Sequence, residues 1–183
     1  MIFYASTNKL KSDTPLGSQV DENIIRPYMT AAQDRFILPV LGTDLDTKLK
    51  AEIVADTLAD HYLALVQLIQ PALVWHTFVE VAYGLSLRFS NNSIYSVTNE
   101  QGNNASPSDV KLVMDRAKDL AEFYTKRIVD YLCEHGSEIP EYNSNDAYNI
   151  NPSKNTYYSH LNLERTRKPS DQILAAIGAT RYL

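Results

Sequence analysis

His76 and Glu80 stand four residues apart inside an apolar run, a spacing that sets two side chains on one face of a helix. Two ligands of this kind begin a metal site, but a stable site needs a third and a fourth, and the sequence supplies none at useful spacing. A buried histidine–glutamate hydrogen bond is the simpler expectation. Asp60 and His61 lack a third group nearby and read as a solvated helix face. Cys133 and His135 are two apart, so on a helix they point to different faces and cannot act as nucleophile and base. The expectation for Cys133 is a small buried side chain near a helix end. Ser159 and His160 lie in a tyrosine-rich tail without residues to hold an oxyanion. Asp115, Asp119 and Glu122 belong to a charged helix face. The six glycines are scattered, and no phosphate-cradling glycine loop occurs. The basic cluster Glu164–Pro169, ERTRKP, reads as solvated tail, with an acidic partner or nucleic acid as the alternative. The sequence therefore points to no enzyme, no cofactor and no metal.

Composition sets the frame for that result. A chain of 183 residues, 44% hydrophobic, is most simply one domain with an appendage. A formal charge of −5 argues against a surface that grips nucleic acid throughout. The single cysteine excludes a disulfide framework and fits a reducing compartment. The opening MIFYASTN has neither a basic start nor a sustained apolar run, so no signal peptide is expected. Tyr62 to Val79 is eighteen residues without Asp, Glu, Lys or Arg, close to the roughly 20 that span a bilayer. Gln67, Gln70, Pro71, His76 and Thr77 interrupt it, so a buried core helix and no membrane are expected.

The elements that would position these residues are helical. The first twenty residues mix turn formers with short apolar groups and read as an arm. Ile25, Met29, Ala32, Phe36 and Val40 then recur at helical spacing, with Asp21 or Asn23 as cap and Pro27 tolerable only near the first turn. Pro39 and Gly42 end that helix, and Thr43 or Asp44 caps a short one carrying Leu45 and Leu49. A third helical region runs from about Asp56 to Phe89, with a break or kink expected at Pro71. From Leu73 to Leu85 it is apolar nearly all round, which belongs at the centre of a bundle.

Asn91 to Asp109 is turn chemistry around one short strand or ribbon at Ile94, Tyr95 and Val97. Ser106, Pro107 and Asp109 start the clearest helix, with a stripe of Val110, Val113, Ala117, Leu120, Tyr124, Ile128 and Leu132. Lys118, Glu122 and Lys126 alternate in charge along its outer face, and Gly136 stops it. The reading is an all-α helical bundle over residues 1–136, with a short β ribbon, followed by an extended arm over 137–183. That arm is poor in aliphatic residues and rich in Tyr, Asn and Ser, so it cannot build its own core. Its candidate contacts to a neighbouring subunit or partner are Tyr157, Tyr158, Leu161 and Leu163, then Ile173, Leu174 and Ile177 on a short terminal helix. Ile94 and Tyr95 of the ribbon are further interface candidates.

The strings AAQDRFILPVLGTDLDTKL and AEFYTKRIVDYL, with the apolar helix pair between them, give a pattern that resembles the head–tail connector or adaptor proteins of tailed bacteriophages. Among these it most resembles the small ring proteins of phages infecting Bacteroidetes, including crAss-like phages. The resemblance covers about Met1 to Leu132. It implies a structural virion protein, made in the host cytoplasm and placed at the capsid–tail junction. It further implies a homo-oligomeric ring, twelvefold to match the portal, that contacts the portal protein on one face and an adjoining tail or second ring protein on the other. Such a ring lines part of the DNA channel and lies beside packaged DNA without sequence-specific contact. Two other classes remain: a binding or regulatory module using its tyrosine-rich tail, and a small helical enzyme with a site assembled between subunits from His76, Glu80 and His61.

Overall fold

The computed structural model describes residues 2–89, 94–96, 107–143 and 149–153, and they are mostly helical. Six α-helices follow in order: α1 (Thr7–Asp13), α2 (Glu22–Ala32), α3 (Leu38–Leu41), α4 (Thr43–Ala55), α5 (Asp60–Ser86) and α6 (Pro107–Glu134). A π-turn, Gln33–Ile37, joins α2 to α3, and a 3-10 turn, Pro140–Asn143, follows α6. Strands β1 (Leu87–Phe89) and β2 (Ile94–Ser96) pair antiparallel, Leu87 opposite Ser96 and Phe89 opposite Ile94.

Helix α5 is the axle of the bundle. Leu65, Ile69, Ala72, Leu73, Val74, Thr77 and Val81 are fully buried on it, and together they span more than half of its circumference. It is the one helix among the described residues long and apolar enough to cross a membrane, yet it lies within the bundle, under α1, α2, the π-turn and α6. Tyr131 of α6 donates to the His61 carbonyl, while Met114 shares a cleft with Tyr83, so α6 runs antiparallel along α5. Pro71 leaves α5 unbroken, and Pro27 sits beyond the first turn of α2 without ending it. Each proline takes a donor from the carbonyl four residues earlier, on Gln67 and Asn23. Both of those residues are exposed, so water serves the carbonyl, and burial of the opposite face holds the helix.

Three boundaries differ from the sequence expectation. The first twenty residues are no free arm: Ser6 caps α1 by accepting from the Lys9 amide, and Tyr4, Ala5, Leu10 and Leu16 enter the core. The Tyr4 hydroxyl donates to the buried Asp46 carboxylate at 2.7 Å, and Lys50 completes the group at 2.6 Å. The predicted stripe of α6 is buried only over part of its length. Ala117, Ile128 and Leu132 are in the core with Ala121 and Val129, whereas Leu112 and Val113 are 72% and 50% exposed. Tyr83 and Leu85 near the other end of α5 are also exposed, while Gly84 between them packs closely against Tyr28 of α2.

The third difference is the division at Gly136. Ile139 and Tyr142, just beyond it, are buried, and Glu141 meets Lys48 of α4 and Tyr62 of α5 at 2.7 and 2.8 Å. Residues 149–153 then form a strap across the corner between α3 and α4. The Thr43 amide donates to the Ile150 carbonyl at 3.0 Å, and Ser153 donates to the Pro39 carbonyl at 2.7 Å. Thr43 and Asp44 do not cap α4 with their side chains; they accept from the Ile150 amide and the Asn149 side chain. The strap thus occupies the open backbone groups of two helix ends at once. The compositional change at Gly136 marks a loss of aliphatic residues, and a few aromatic and backbone contacts suffice to hold the chain to Ser153. The remainder of the expected arm, with Tyr157, Tyr158, Leu161, Leu163, Ile173, Leu174 and Ile177, lies outside the described residues.

Gly42 makes the corner feasible. Its φ of 80° and ψ of 161° fall in a region that only glycine enters readily, and a Cβ there would stand 2.8 Å from the Pro152 ring. Gly42→Ala is therefore expected to cost about 1–3 kcal/mol from backbone strain, before any displacement of the strap. Urea denaturation of the purified variant measures this, and an unchanged midpoint would refute it. Truncation distinguishes strap from arm. A chain ending after Gly136 lacks buried Ile139 and Tyr142, about 3–6 kcal/mol of apolar burial, and should melt well below one ending after Ser153.

Candidate functional site

A concavity that brings together chemically capable side chains lies where the π-turn, α5 and α6 meet. It is a cleft of about 630 Å³ lined by Arg35, Phe36, His76, Val79, Glu80, Tyr83, Met114, Lys118 and Glu122. Phe36, Val79 and Met114 give an apolar floor, and four charged side chains stand among the lining residues. The π-turn matters to its placement: the Leu38 amide reaches back to the Gln33 carbonyl, five residues away. This wider turn changes the angular register of the helix just before Pro39, where the normal backbone bond has no donor.

His76 is buried at the inner wall. Its ring stacks on Phe36 with centroids 4.1 Å apart and planes 8° from parallel. Its Nε2 lies 3.0 Å from the Thr125 hydroxyl, which itself donates to the Ala121 carbonyl at 2.8 Å. The hydroxyl proton is thereby committed, so Nε2 carries the hydrogen and donates to Thr125. Burial, reinforced by the Arg35 charge, depresses the imidazole pKa to about 4. The ring is neutral at physiological pH and serves as a packing and hydrogen-bonding group.

Glu80, one turn on, does not bond His76. It accepts from Arg35 at 3.1 Å, and the guanidinium also sits 5.0 Å above the Phe36 ring. The expected histidine–glutamate bond is thus replaced by two separate pairs, because the π-turn presents Phe36 and Arg35 between them. His61 lies fifteen residues before His76 on the same helix, about 22 Å along its axis, so one subunit cannot bring the two together. Its ring tilts against Tyr62 at the opposite end of α5. Among the described residues no group of three His, Cys, Asp or Glu side chains is arranged to hold a metal ion.

Cys133 is exposed rather than buried, and His135 faces away from it to stack on Tyr131 with centroids 4.2 Å apart. The His135 Nδ1 donates to the Tyr131 carbonyl at 3.1 Å. Burial, with the neighbouring Cys133, pushes the Tyr142 hydroxyl up to about 12, so it stays protonated. A second group links Lys48, Tyr62 and Glu141; hydrogen bonds to Glu141 and then Tyr62 raise the lysine pKa, against the effect of burial. This group ties the turn after α6 to α4 and α5. It has the geometry of a structural clasp, with each polar atom already occupied by another member.

Ile94 and Tyr95 lie on β2, paired with Phe89 and Arg88. The sequence singled out His76 and Glu80 but missed Arg35, Phe36, Met114 and Thr125, whose only signal was a place on amphipathic helices. Lys118 and Glu122 were legible as a charged face.

This architecture, a helical bundle with a cleft and no assembled catalytic group among the described residues, defines a class by packing rather than by chemistry. The chain belongs to the DUF6712 family, a family of unknown function, whose model matches residues 37–152. The match ends within the strap, in keeping with residues 137–143 and 149–153 being part of the folded unit. Comparison with curated proteins and with solved structures gave no match.

The cleft's histidine makes stability pH-dependent. Because the folded pKa of about 4 lies below the ordinary 6.5, the unfolded chain binds the proton first as pH falls. Stability is complete above about pH 6.5 and declines toward pH 4, by on the order of 3 kcal/mol from this group. Urea titrations at pH 7.5, 6 and 5 should show the decline in the native chain and a shallower one in His76→Gln. Equal slopes would remove His76 as the cause.

Proposed function

We propose that the chain is a structural protein of a tailed-phage virion, forming a homo-oligomeric ring at the portal vertex between capsid and tail. The observation that carries this reading is the exposed apolar surface of α5 and α6. Tyr83, Leu112, Val113 and Phe123 are each at least half exposed, and Leu85 is 38% exposed. Apolar surface of this extent on two packed helices favours protein contact over solvent. A ring uses such a surface heterologously, one subunit's surface against a different patch on the next. The sequence resemblance to connector proteins gives the assembly its place.

In this reading the fold's finer parts have separate tasks. The β1–β2 ribbon, with Ile94 and Tyr95, extends this surface toward the neighbouring subunit. Residues after Ser153 form an extended arm, and Ile173, Leu174 and Ile177 at its far end meet a neighbouring subunit or the adjoining ring. The portal protein covers one face and a tail or second ring protein the other. The net charge of −5 suits a wall past which DNA slides, since it offers few phosphate contacts.

Cryo-electron microscopy of virions tests the reading directly. The expected result is density for this bundle, in cyclic copies, between portal and tail; its absence from that junction refutes the proposal. Within the assembled particle, Leu112→Asp with Phe123→Asp should abolish incorporation while leaving the helical circular dichroism signal of the purified protein intact. Full incorporation of that variant would remove the α6 end from the interface.

A further inference from the structure

The cleft over His76 has a floor suited to apolar groups, and the strap approaches it with a defined direction. Asn149 meets Asp44, Ile150 meets Thr43, and Ser153 meets Pro39, so the strap runs antiparallel to the corner, back toward the π-turn. Arg35 and Phe36, on the rim and floor of the cleft, lie only four and three residues before Pro39, about 5–6 Å along the helix. Ser153, the last described residue of the strap, therefore stands about one helical turn from the cleft.

The next residues have the composition such a seat requires. In KNTYYSHLNLE, Tyr157, Leu161 and Leu163 fall at alternate spacing, with Tyr158, His160, Asn162 and Glu164 in the other register. Alternation of this kind places apolar side chains on one face of an extended segment. Tyr157 is four residues past Ser153, at most about 14 Å of extended chain. The His76-to-Tyr83 wall of the cleft is about 10 Å long, against about 13–14 Å from Tyr157 to Leu161 in extended chain, so the pair reaches from one end of the wall to the other. A tyrosine suits the boundary between floor and rim, with its ring on Phe36, Val79 or Met114 and its hydroxyl among the charged groups.

We propose that residues 155–163 of this chain bind in the cleft of their own bundle, laying Tyr157 and Leu161 over Phe36, Val79 and Met114. The segment is held at high local concentration by the Ser153 anchor, which favours the same molecule over a second copy. The inference goes beyond the ring reading and does not depend on it. A seated first half also fixes where the far half, with Ile173, Leu174 and Ile177, departs from the subunit.

Photo-cross-linking of the full-length chain tests it. Tyr83, on the cleft wall and 60% exposed, is replaced by p-benzoylphenylalanine, and the dilute protein is irradiated, digested and mapped by mass spectrometry. The expected product has the mass of a single chain and joins position 83 to residues 155–163. Combining Tyr157→Ser with Leu161→Ser should lose that cross-link, while circular dichroism confirms an intact bundle. A product of doubled mass overturns the proposal in favour of a second copy. Linkage to residues 170–183, or none to the tail, overturns it as well. Because the measurement needs no portal or virion, its failure and that of the ring reading are separate results.

Discussion

Helix α5 is apolar around its whole circumference, and a helix of that kind has to be covered on every side. The rest of the architecture meets this one requirement. Helices α1 and α2 and the π-turn cover part of it, and α6 runs along another side. Full burial of Leu65, Ile69, Leu73 and Val81 on one helix removes far more apolar area from water than either proline costs. That balance explains why Pro27 and Pro71 remain inside helices. Among the described residues the cover is incomplete at both ends of α5, where Leu63 on one side and Tyr83 and Leu85 on the other are exposed.

The corner at Gly42 is the second constraint, and it is one of backbone rather than side chains. Two helices meet end to end, one offering carbonyls and the other amides. The strap of residues 149–153 satisfies both with a single extended stretch, and Gly42 lacks the side chain that would keep Pro152 away. Asp46, Tyr4 and Lys50 perform a related task at the other side of α4, joining the N-terminal segment to the helix through a buried carboxylate. The two ends of the folded unit are thus fastened to the same short helix, which makes α4 the point where the chain closes on itself.

In the cleft, these constraints engage two of the polar side chains. His76 is neutral, stacked and committed to Thr125, and Glu80 is committed to Arg35. What the described residues offer is shape: a packed helical pair with exposed apolar side chains, and a cleft one turn from the point where the strap leaves the corner.

Much of this was legible in the residues themselves. The all-round apolar run marked α5 as central, the turn chemistry at Gly42 located the corner, and the spacing of Ala117, Ile128 and Leu132 gave the buried face of α6. Periodicity, however, reports that a face is apolar and not whether anything lies opposite it. Val113 therefore read as core although it is half exposed among the described residues, and Leu10 read as arm although α5 receives it. The pairing of His76 with Thr125 and of Glu80 with Arg35 joins residues 45 or more positions apart, across a π-turn that shifts the angular register. Local spacing determines which side chains share a helix face. Only the packing of separate helices decides which of them meet, because that depends on lengths, crossings and backbone register that no single segment contains.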